Sequence, residues 1–307
     1  MKIVFVSIKF FVFALFISGC SKLNNDLPAP VESGSAIHSD GWAISTNTNF
    51  HGKFLRDNNW DLKSCQKCHS SDYNGGIAPG CMSSGCHEDD MGMAKPPTAC
   101  NTCHGNFRAM ENDIASWAPP KAISGDTSQS AAGVGAHQSH LLSHSISAAI
   151  TCAECHTVPP LFSTTGHLDG NNIAEVRFND SLASVITNEP TTLNYSSSLP
   201  LFTPAPVFTK STNSCSNVYC HGYFKNGDST FTPVWNDTSS SQSECGTCHG
   251  NISKPTLAER ALPGGTHPQV ASCFACHGTV VDANLNFINP SKHINGKLNL
   301  FSDERDF

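Results

Sequence analysis

Seven short cysteine–histidine patterns recur along this chain of 307 residues, and their residue types bind metals and cofactors. Five have the narrow form C-x-x-C-H, at 65–69, 100–104, 152–156, 245–249 and 273–277, and two have the wide form C-x₄-C-H, at 81–87 and 215–221. In chain order they are motifs 1 to 7, so the wide motifs are 2 and 5. Cys and His each occupy 15 of the 307 positions, so chance would place about 0.04 copies of either pattern in the chain. The repetition therefore indicates a shared chemistry.

Four chemistries use paired cysteines: disulfides, zinc sites, iron–sulfur clusters and covalent haem. Zinc needs two ligand pairs that converge on one ion, and a dithiol redox site needs a single pair beside a βαβ unit, so neither explains a histidine after every second cysteine. Haem attachment explains it, because two thiols add to the haem vinyl groups and the adjacent histidine lies under the iron as its proximal ligand. In the wide form, the four intervening residues must loop outward while the Cys-His unit is unchanged. Disulfides remain the alternative for the two wide motifs.

The sequence thus predicts seven covalently attached haem c groups and no catalytic residues. The predicted haem-attaching cysteines are Cys65, Cys68, Cys81, Cys86, Cys100, Cys103, Cys152, Cys155, Cys215, Cys220, Cys245, Cys248, Cys273 and Cys276. The predicted proximal iron ligands are His69, His87, His104, His156, His221, His249 and His277.

Eight histidines lie outside the motifs, and seven distal ligands are needed because an electron-transfer haem is usually six-coordinate. Three of them have spacings of three and four, which places them on one face of a helix that runs toward motif 4. The predicted distal ligands are His51, His137, His140, His144, His167, His267 and His293, and His38 is the predicted spare. The methionines around motifs 2 and 3, Met82, Met91, Met93 and Met110, are interpreted as packing residues rather than ligands.

The N-terminal stretch has the pattern of an export signal, with Lys2 followed by an apolar region that ends at Ile17-Ser18-Gly19-Cys20. These four residues resemble a bacterial lipobox, which implies cleavage before Cys20 and acylation of its thiol. A permanent membrane helix is the alternative, but 3–19 is marginally short for a span and contains Lys9. The prediction is an exported lipoprotein of the outer membrane, on its periplasmic or cell-surface face.

Composition limits the fold and the partners. The formal net charge is −7 without a run of five like charges, so a nucleic-acid role has no electrostatic support. Removing residues 1–19 leaves 288, or about 41 residues for each of seven haems, so porphyrin faces must replace much of the usual side-chain core. The predicted fold is irregular, mostly coil with short α-helices and few strands organised around the haems, and it does not form without them.

The motifs and the Pro, Gly and Ser content divide the chain. The predicted regions are a lipoprotein signal peptide at 1–19, a lipid-anchored polar tether at 20–60, a three-haem region at 61–117, a linker at 118–136, a four-haem region at 137–298 and a tail at 299–307. The longest haem-free stretch, between His167 and Cys215, contains β-prone pieces such as AEVRF and is predicted to be one hairpin-like insert.

Several segments resemble the Geobacter-type multihaem c cytochromes, a family marked by C-x₄-C-H followed by C-x-x-C-H. They are GAHQSHL, CAECHTVP, GHLDG, EVRF, NVYCHG, CGTCHG, CFACHGTVVD, His267-Pro268 and HINGK, so the resemblance covers roughly 61–110 and 131–298. It implies an exported electron-transfer protein of the outer membrane or cell surface. The implied partners are periplasmic or outer-membrane cytochromes, a porin–cytochrome complex and extracellular electron acceptors, together with the membrane through the lipid.

Three functions are compatible with these motifs. The first is an electron conduit in which every iron has two protein ligands. The second is a multihaem reductase with one open iron, but no motif replaces its terminal histidine by lysine, the substitution that some related reductases use. The third is a subunit of an extracellular cytochrome filament, which a lipid on Cys20 disfavours because an anchored subunit cannot stack freely. The sequence favours the conduit.

Overall fold

A computed structural model describes residues 37–83, 85–110, 113–117, 119–168, 174–178, 182–188, 201–225, 227–262 and 267–307. The chain divides into an N-terminal unit, Met1–Asn58, and a larger unit, Asn59–Phe307. The predicted signal peptide at 1–19 and the predicted acylation site Cys20 lie outside the described residues. Within the described residues, no helix has the length and hydropathy needed to cross a membrane.

The described part of the N-terminal unit consists of turns followed by one helix, α1 (His51–Asp57). The Trp42 ring stacks on His38 with centroids 4.5 Å apart and also packs on Phe54 at 5.1 Å. The backbone oxygen of Trp42 lies 2.8 Å from His51 Nδ1. The region predicted to be a polar tether therefore contains local structure from residue 37 onward.

The helices of the larger unit are short, and most of them carry haem motifs or predicted ligands. They are α2 (Gln66–His69), α3 (Cys100–Cys103), α4 (Ile114–Trp117), α5 (His137–Leu141), α6 (Leu257–Ala261) and α7 (Phe274–His277). Single 3₁₀ turns lie at Lys63–Cys65, Cys152–Glu154, Leu182–Ser184, Tyr219–His221, Ser240–Gln242 and Pro290–Lys292. This confirms the predicted irregular fold of coil and short helices.

The strands form three separate antiparallel pairs in the described part of the chain. β1 (Thr187–Asn188) pairs with β2 (Leu201–Phe202), β3 (Val207–Thr209) with β4 (Ser214–Ser216), and β5 (Lys297–Leu300) with β6 (Asp303–Asp306). The predicted insert between motifs 4 and 5 thus contains two strand pairs, whereas its AEVRF segment, 174–178, is coil. The segment predicted to be a tail, 299–307, contains the end of β5 and all of β6.

Part of the predicted linker is bonded to the segment between motifs 5 and 6. The Asn236 side-chain amide donates to the Ser130 carbonyl at 2.9 Å, and the Thr238 hydroxyl donates to Gln129 Oε1 at 3.1 Å. These contacts join stretches more than 100 residues apart in the sequence.

The protein core is thin, as the composition predicts. Among the described residues, the buried apolar side chains are Leu62, Tyr73, Ala99, Ala109, Ala122, Val134, Ala183, Val218, Tyr219, Val280 and Val281. The fully buried Asn101, inside motif 3, donates from its side-chain amide to the Ala109 carbonyl at 2.7 Å. Small residues and local hydrogen bonds therefore hold the motifs in place where a larger aliphatic core is missing.

Candidate haem sites

Three narrow motifs are closed by the same backbone hydrogen bond. The histidine N–H donates to the carbonyl of the first cysteine in motif 3 (3.0 Å), motif 4 (2.9 Å) and motif 7 (2.8 Å). This is one turn of α-helix, which brings both sulfurs and the imidazole to one short stretch of surface. The two residues between the cysteines therefore suffice to present both thiols to one edge of a ring.

The wide motif 5 has a different lead-in. Cys215 lies on strand β4, whereas Cys220 and His221 lie on the 3₁₀ turn Tyr219–His221. Gly222 ends this turn at φ +101°, and a Cβ at this position would lie 2.6 Å from the Asp228 carbonyl oxygen and 2.7 Å from that of Cys248. Glycine is needed here for both its left-handed conformation and its size.

The motif sulfurs are free, and most of the motif cysteines are half-buried. All fourteen motif cysteines are unpaired thiols in the described structure, so the two wide motifs form no disulfide there. Burial raises the pKa of Cys103, Cys215 and Cys248 to about 11 and that of Cys155 to about 12. An apolar environment suits a thioether, which carries no charge and no acidic proton.

Four histidine pairs share a common geometry. Each joins the histidine of one motif to a histidine predicted to be a distal ligand. The ring centroids are 6.2 Å apart in His104–His167, 6.3 Å in His156–His137, 6.0 Å in His221–His140 and 6.2 Å in His277–His267. The ring planes are within 21° of parallel in three pairs and 65° apart in His221–His140.

These separations fit a metal ion held between two imidazoles. A metal–imidazole bond is about 2 Å and the ring centre lies roughly 1 Å further out, so two rings on opposite sides of one ion have centres roughly 6 Å apart. Other ring pairs in this structure have centroids from 4.4 Å apart, in Phe287–His293, to 6.5 Å apart, in His221–Phe231, so the distance supports a metal site only because each of the four pairs joins two imidazoles. Across the described residues, no group of three or more Cys, His, Asp or Glu side chains could hold a metal. A haem iron needs only two protein ligands, because the porphyrin supplies the others.

His249 and His293 share two features with these pairs. Burial, together with a smaller effect of a charge on His249, lowers the pKa of His293 to about 4. His249 Nδ1 lies 2.5 Å from the Ala261 carbonyl oxygen, and His293 Nδ1 lies 2.7 Å from that of Ile146. The Nδ1 atoms of both histidines therefore face backbone carbonyls.

Backbone carbonyls orient most of the predicted ligands through Nδ1. Besides the two just described, the partners are Pro79 for His69, Glu175 for His156, Asn299 for His277, Val134 for His137, Ala136 for His140, Phe162 for His167 and Pro268 for His267, at 2.7 to 2.9 Å. An Nδ1–H that donates to a carbonyl fixes the tautomer in which Nε2 is free to bind a metal.

Burial also keeps these imidazoles in the neutral form that binds metals. It is the largest cause that lowers the pKa of His137 and His221 to about 4, and it lowers the pKa of His140 as well. Desolvation disfavours the protonated ring, which cannot ligate iron through the nitrogen that carries the proton.

The remaining predicted ligands have other surroundings. The Nε2 atom of His144 lies 3.4 Å from the backbone oxygen of Gln138, and its ring makes no contact with a motif histidine within the described structure. The His87 ring meets Phe107 edge-on at 5.4 Å. His51 and His38 belong to the N-terminal unit. Met91 and Met93, interpreted as packing residues, are 74% and 65% exposed.

Motifs that are consecutive in the sequence also lie close together. Lys95 bridges motif 2 and the segment that follows motif 3. Its backbone N–H donates to the His87 carbonyl at 2.7 Å, and its ammonium group donates to the carbonyl of Phe107, three residues after motif 3. Burial is the largest cause that lowers the pKa of His104, and charges on His167 and His156 lower it as well. The effect of His156 indicates that motif 4 is near motif 3.

The series continues through the C-terminal motifs. His137 and His140 both lie on helix α5. His137 faces His156 of motif 4 and His140 faces His221 of motif 5, so this helix brings the two motifs together. The Asp228 N–H, downstream of motif 5, donates to the Cys248 carbonyl of motif 6 at 2.8 Å. After burial, charges on His267 and His277 lower the pKa of His249, which places motif 6 near motif 7.

Sequence reasoning missed two kinds of residue at these sites. The first is the backbone carbonyls that orient the imidazoles, which carry no side-chain signature. The second is Trp235, whose indole contacts both His137 and His140. The EVRF segment, which the sequence marks as β-prone and as similar to the family, contains Glu175, and the Glu175 carbonyl lies opposite His156 Nδ1.

The motifs, the irregular fold and the histidine pairs are typical of a multihaem c-type cytochrome. Residues 214–249, which contain motifs 5 and 6, match the family described as the Geobacter CxxxxCH...CXXCH motif. The match supports a Geobacter-type multihaem cytochrome c and confirms the resemblance over motifs 5 and 6. No curated protein and no solved structure matches the chain.

Proposed function

We propose that the protein binds seven haem c groups and passes electrons along them, one group to the next. The observation that carries this proposal is the set of four histidine pairs with centroids 6.0 to 6.3 Å apart. Each pair joins a motif histidine to a histidine outside the motifs, 10 to 81 residues away in the sequence. An iron with two histidine ligands has no open position, which suits electron transfer rather than substrate chemistry.

The proposed axial pairs are assigned motif by motif. His104 is paired with His167, His156 with His137, His221 with His140, His249 with His293, and His277 with His267. His69 and His87 are the proximal ligands of the first two haems, and His51 and His144 keep their predicted roles as the two remaining distal ligands.

The chain's own residues bind and orient the haems and contribute no catalytic group. Haem, when bound, supplies a one-electron iron couple. The motif cysteines anchor the ring, the carbonyls at Nδ1 hold the imidazole planes, and burial of residues such as His221 excludes water from the iron. The potentials would then be set by ligand type, by these hydrogen bonds and by burial.

The order of the motifs in space supports a path for electrons. Hydrogen bonds link motif 2 to the segment after motif 3 and motif 5 to motif 6, and the two ligands on α5 link motif 4 to motif 5. Charge effects on the pKa of His104 and His249 support the proximity of motif 3 to 4 and of motif 6 to 7. A charge on Cys65 also raises the pKa of Cys81, after the larger effect of burial, so motif 1 lies near motif 2. Consecutive haems would thus be neighbours from one end of the series to the other.

The cellular setting completes the proposal. Export and acylation of Cys20 would anchor the protein at the outer membrane, on its periplasmic or surface face. Its partners would be other redox proteins, such as periplasmic cytochromes or a porin–cytochrome complex, and extracellular electron acceptors. The lipobox-like residues Ile17-Ser18-Gly19-Cys20 support this setting.

The test combines haem counting with carbon monoxide titration of the reduced protein. The full chain, matured with haem, is expected to contain seven haems per chain and to show no carbon monoxide shift of its Soret band. A shift worth one haem would reveal an open iron, overturn the conduit and favour a reductase. Fewer than seven haems in a homogeneous preparation would contradict the proposed stoichiometry.

A further inference from the structure

Trp235 lies against two proposed iron ligands at once. Its ring meets His137 edge-on, with centroids 4.7 Å apart and planes 88° from parallel, and lies over His140 at 5.6 Å with planes 30° from parallel. His137 faces His156 of motif 4, and His140 faces His221 of motif 5. A single indole therefore contacts the outer ligands of two consecutive sites.

The surrounding chain fixes the position of this indole. Its Nε1–H donates to the Ala132 carbonyl at 2.8 Å, and its backbone N–H donates to the Asn213 carbonyl at 2.5 Å. A Cβ at Gly135, which has φ +43°, would overlap Nε1 and its neighbouring carbons. Gly135 lies two residues before His137, the first residue of α5, and its lack of a side chain leaves room for the indole beside this helix.

We propose that Trp235 is a positioning residue that holds His137 and His140 in their orientations on the fourth and fifth haems and thereby links the properties of these two haems. This inference rests on the proposed function, because it concerns ligands to haem iron.

The physical reason is steric and electrostatic. A T-shaped contact restricts rotation of the His137 ring, and a nearly parallel contact restricts tilting of the His140 ring. Each ring is held on its other side by a carbonyl at Nδ1, that of Val134 for His137 and that of Ala136 for His140. The orientation and hydrogen bonding of an axial imidazole tune the potential of the iron that it binds. Removing the indole would release both rings together.

The experiment uses the haem-loaded full chain and compares W235L with W235F. Redox titration followed by visible spectroscopy, low-temperature electron paramagnetic resonance of the ferric form, and haem counting are the readouts. For W235L, two of the seven titration steps and two of the low-spin ferric signals are expected to move, while seven haems are retained. W235F keeps an aromatic ring and is expected to restore most of the wild-type pattern.

Marker variants identify the steps that move. H137M and H140M replace one proposed ligand each by a ligand that raises the potential, so each marks one haem. The steps shifted in W235L are expected to be those marked by H137M and H140M. W117F is the matched control, because the Trp117 Nε1–H donates to the Met110 carbonyl at 3.4 Å and its ring contacts no histidine ring in the described structure.

A second variant reaches the same contact from the other side. G135A leaves Trp235 in the sequence but forces its ring away from α5, so it is expected to shift the same two steps. If neither W235L nor G135A changes a potential or a ferric signal, Trp235 does not position these ligands. If all seven steps move together with loss of haem, its role is only structural. Failure of the wild-type protein to contain haem would instead overturn the proposed function.

Discussion

The rings of His267 and His277 face each other with centroids 6.2 Å apart and planes 8° from parallel. Each Nδ1 lies within 2.9 Å of a backbone carbonyl oxygen, that of Pro268 for His267 and that of Asn299 for His277. Both rings are therefore oriented by the backbone before any cofactor is considered, which makes this pair the clearest of the proposed axial sites.

Substitution of His267 by Ala should open one iron. Because His277 would remain as the proximal ligand, the haem of motif 7 is expected to become five-coordinate and to bind carbon monoxide. Titration of the reduced protein should then show a Soret shift worth one haem in seven. H38A is the matched control and should show none, because His38 is the predicted spare and its ring stacks on Trp42. A shift in H38A instead of H267A would reverse the assignment.

Substitution of Gly222 by Ala should disturb motif 5. Ala at a positive φ costs about 1 kcal/mol, and here the added Cβ would also press on the Asp228 and Cys248 carbonyls. The control is G125A, since Gly125 has φ +96° with nothing within 4 Å of its Cβ position. Guanidinium unfolding of the haem-loaded protein should show a larger loss of stability for G222A than for G125A. Equal losses would mean that the close approach of the two motifs is unimportant.

Substitution of Thr256 by Ala should loosen the support of motif 6. Thr256 caps α6 through a reciprocal box with Glu259, and Ala261 at the end of that helix supplies the carbonyl beside His249 Nδ1. Loss of such a cap costs about 0.5–2 kcal/mol. Denaturant unfolding should report that loss, and redox titration should show one shifted step. T256S keeps the hydroxyl and should resemble wild type, whereas a T256S defect equal to that of T256A would exclude capping as the cause.

The chain without haem should fail to fold cooperatively. Its buried apolar side chains are few and mostly small, and ligation and folding are coupled when ligands come from distant segments. Circular dichroism during thermal unfolding should show no sigmoidal transition for chain made without haem maturation, and a clear one for the haem-loaded protein. A cooperative transition in the apo protein would show that the polypeptide carries its own core.

The local chemistry of this protein was readable from its sequence. Cys65, Cys68 and His69 lie within five residues, so their chemistry depends on one turn of backbone that the spacing specifies. The same reasoning gave the irregular fold, because a polar chain with so few apolar residues per motif cannot build an ordinary core. The strand pairs were only partly anticipated, since AEVRF has β-prone residues but is coil where Glu175 serves His156.

The pairing of ligands was decided by the tertiary structure. The spacing predicts His137, His140 and His144 on one face of a helix, which is wrong for His144 because α5 ends at Leu141. His140 faces His221, whereas His144 lies beyond the helix and near the Gln138 carbonyl. The carbonyls at Nδ1 could not be predicted from the sequence, because every residue has a backbone carbonyl. The contact of Trp235 with α5 could not be predicted either, because Trp235 is far in sequence from that helix. Attachment to haem is a local property of the chain, whereas ligation of its iron from the other side requires segments that only folding brings together.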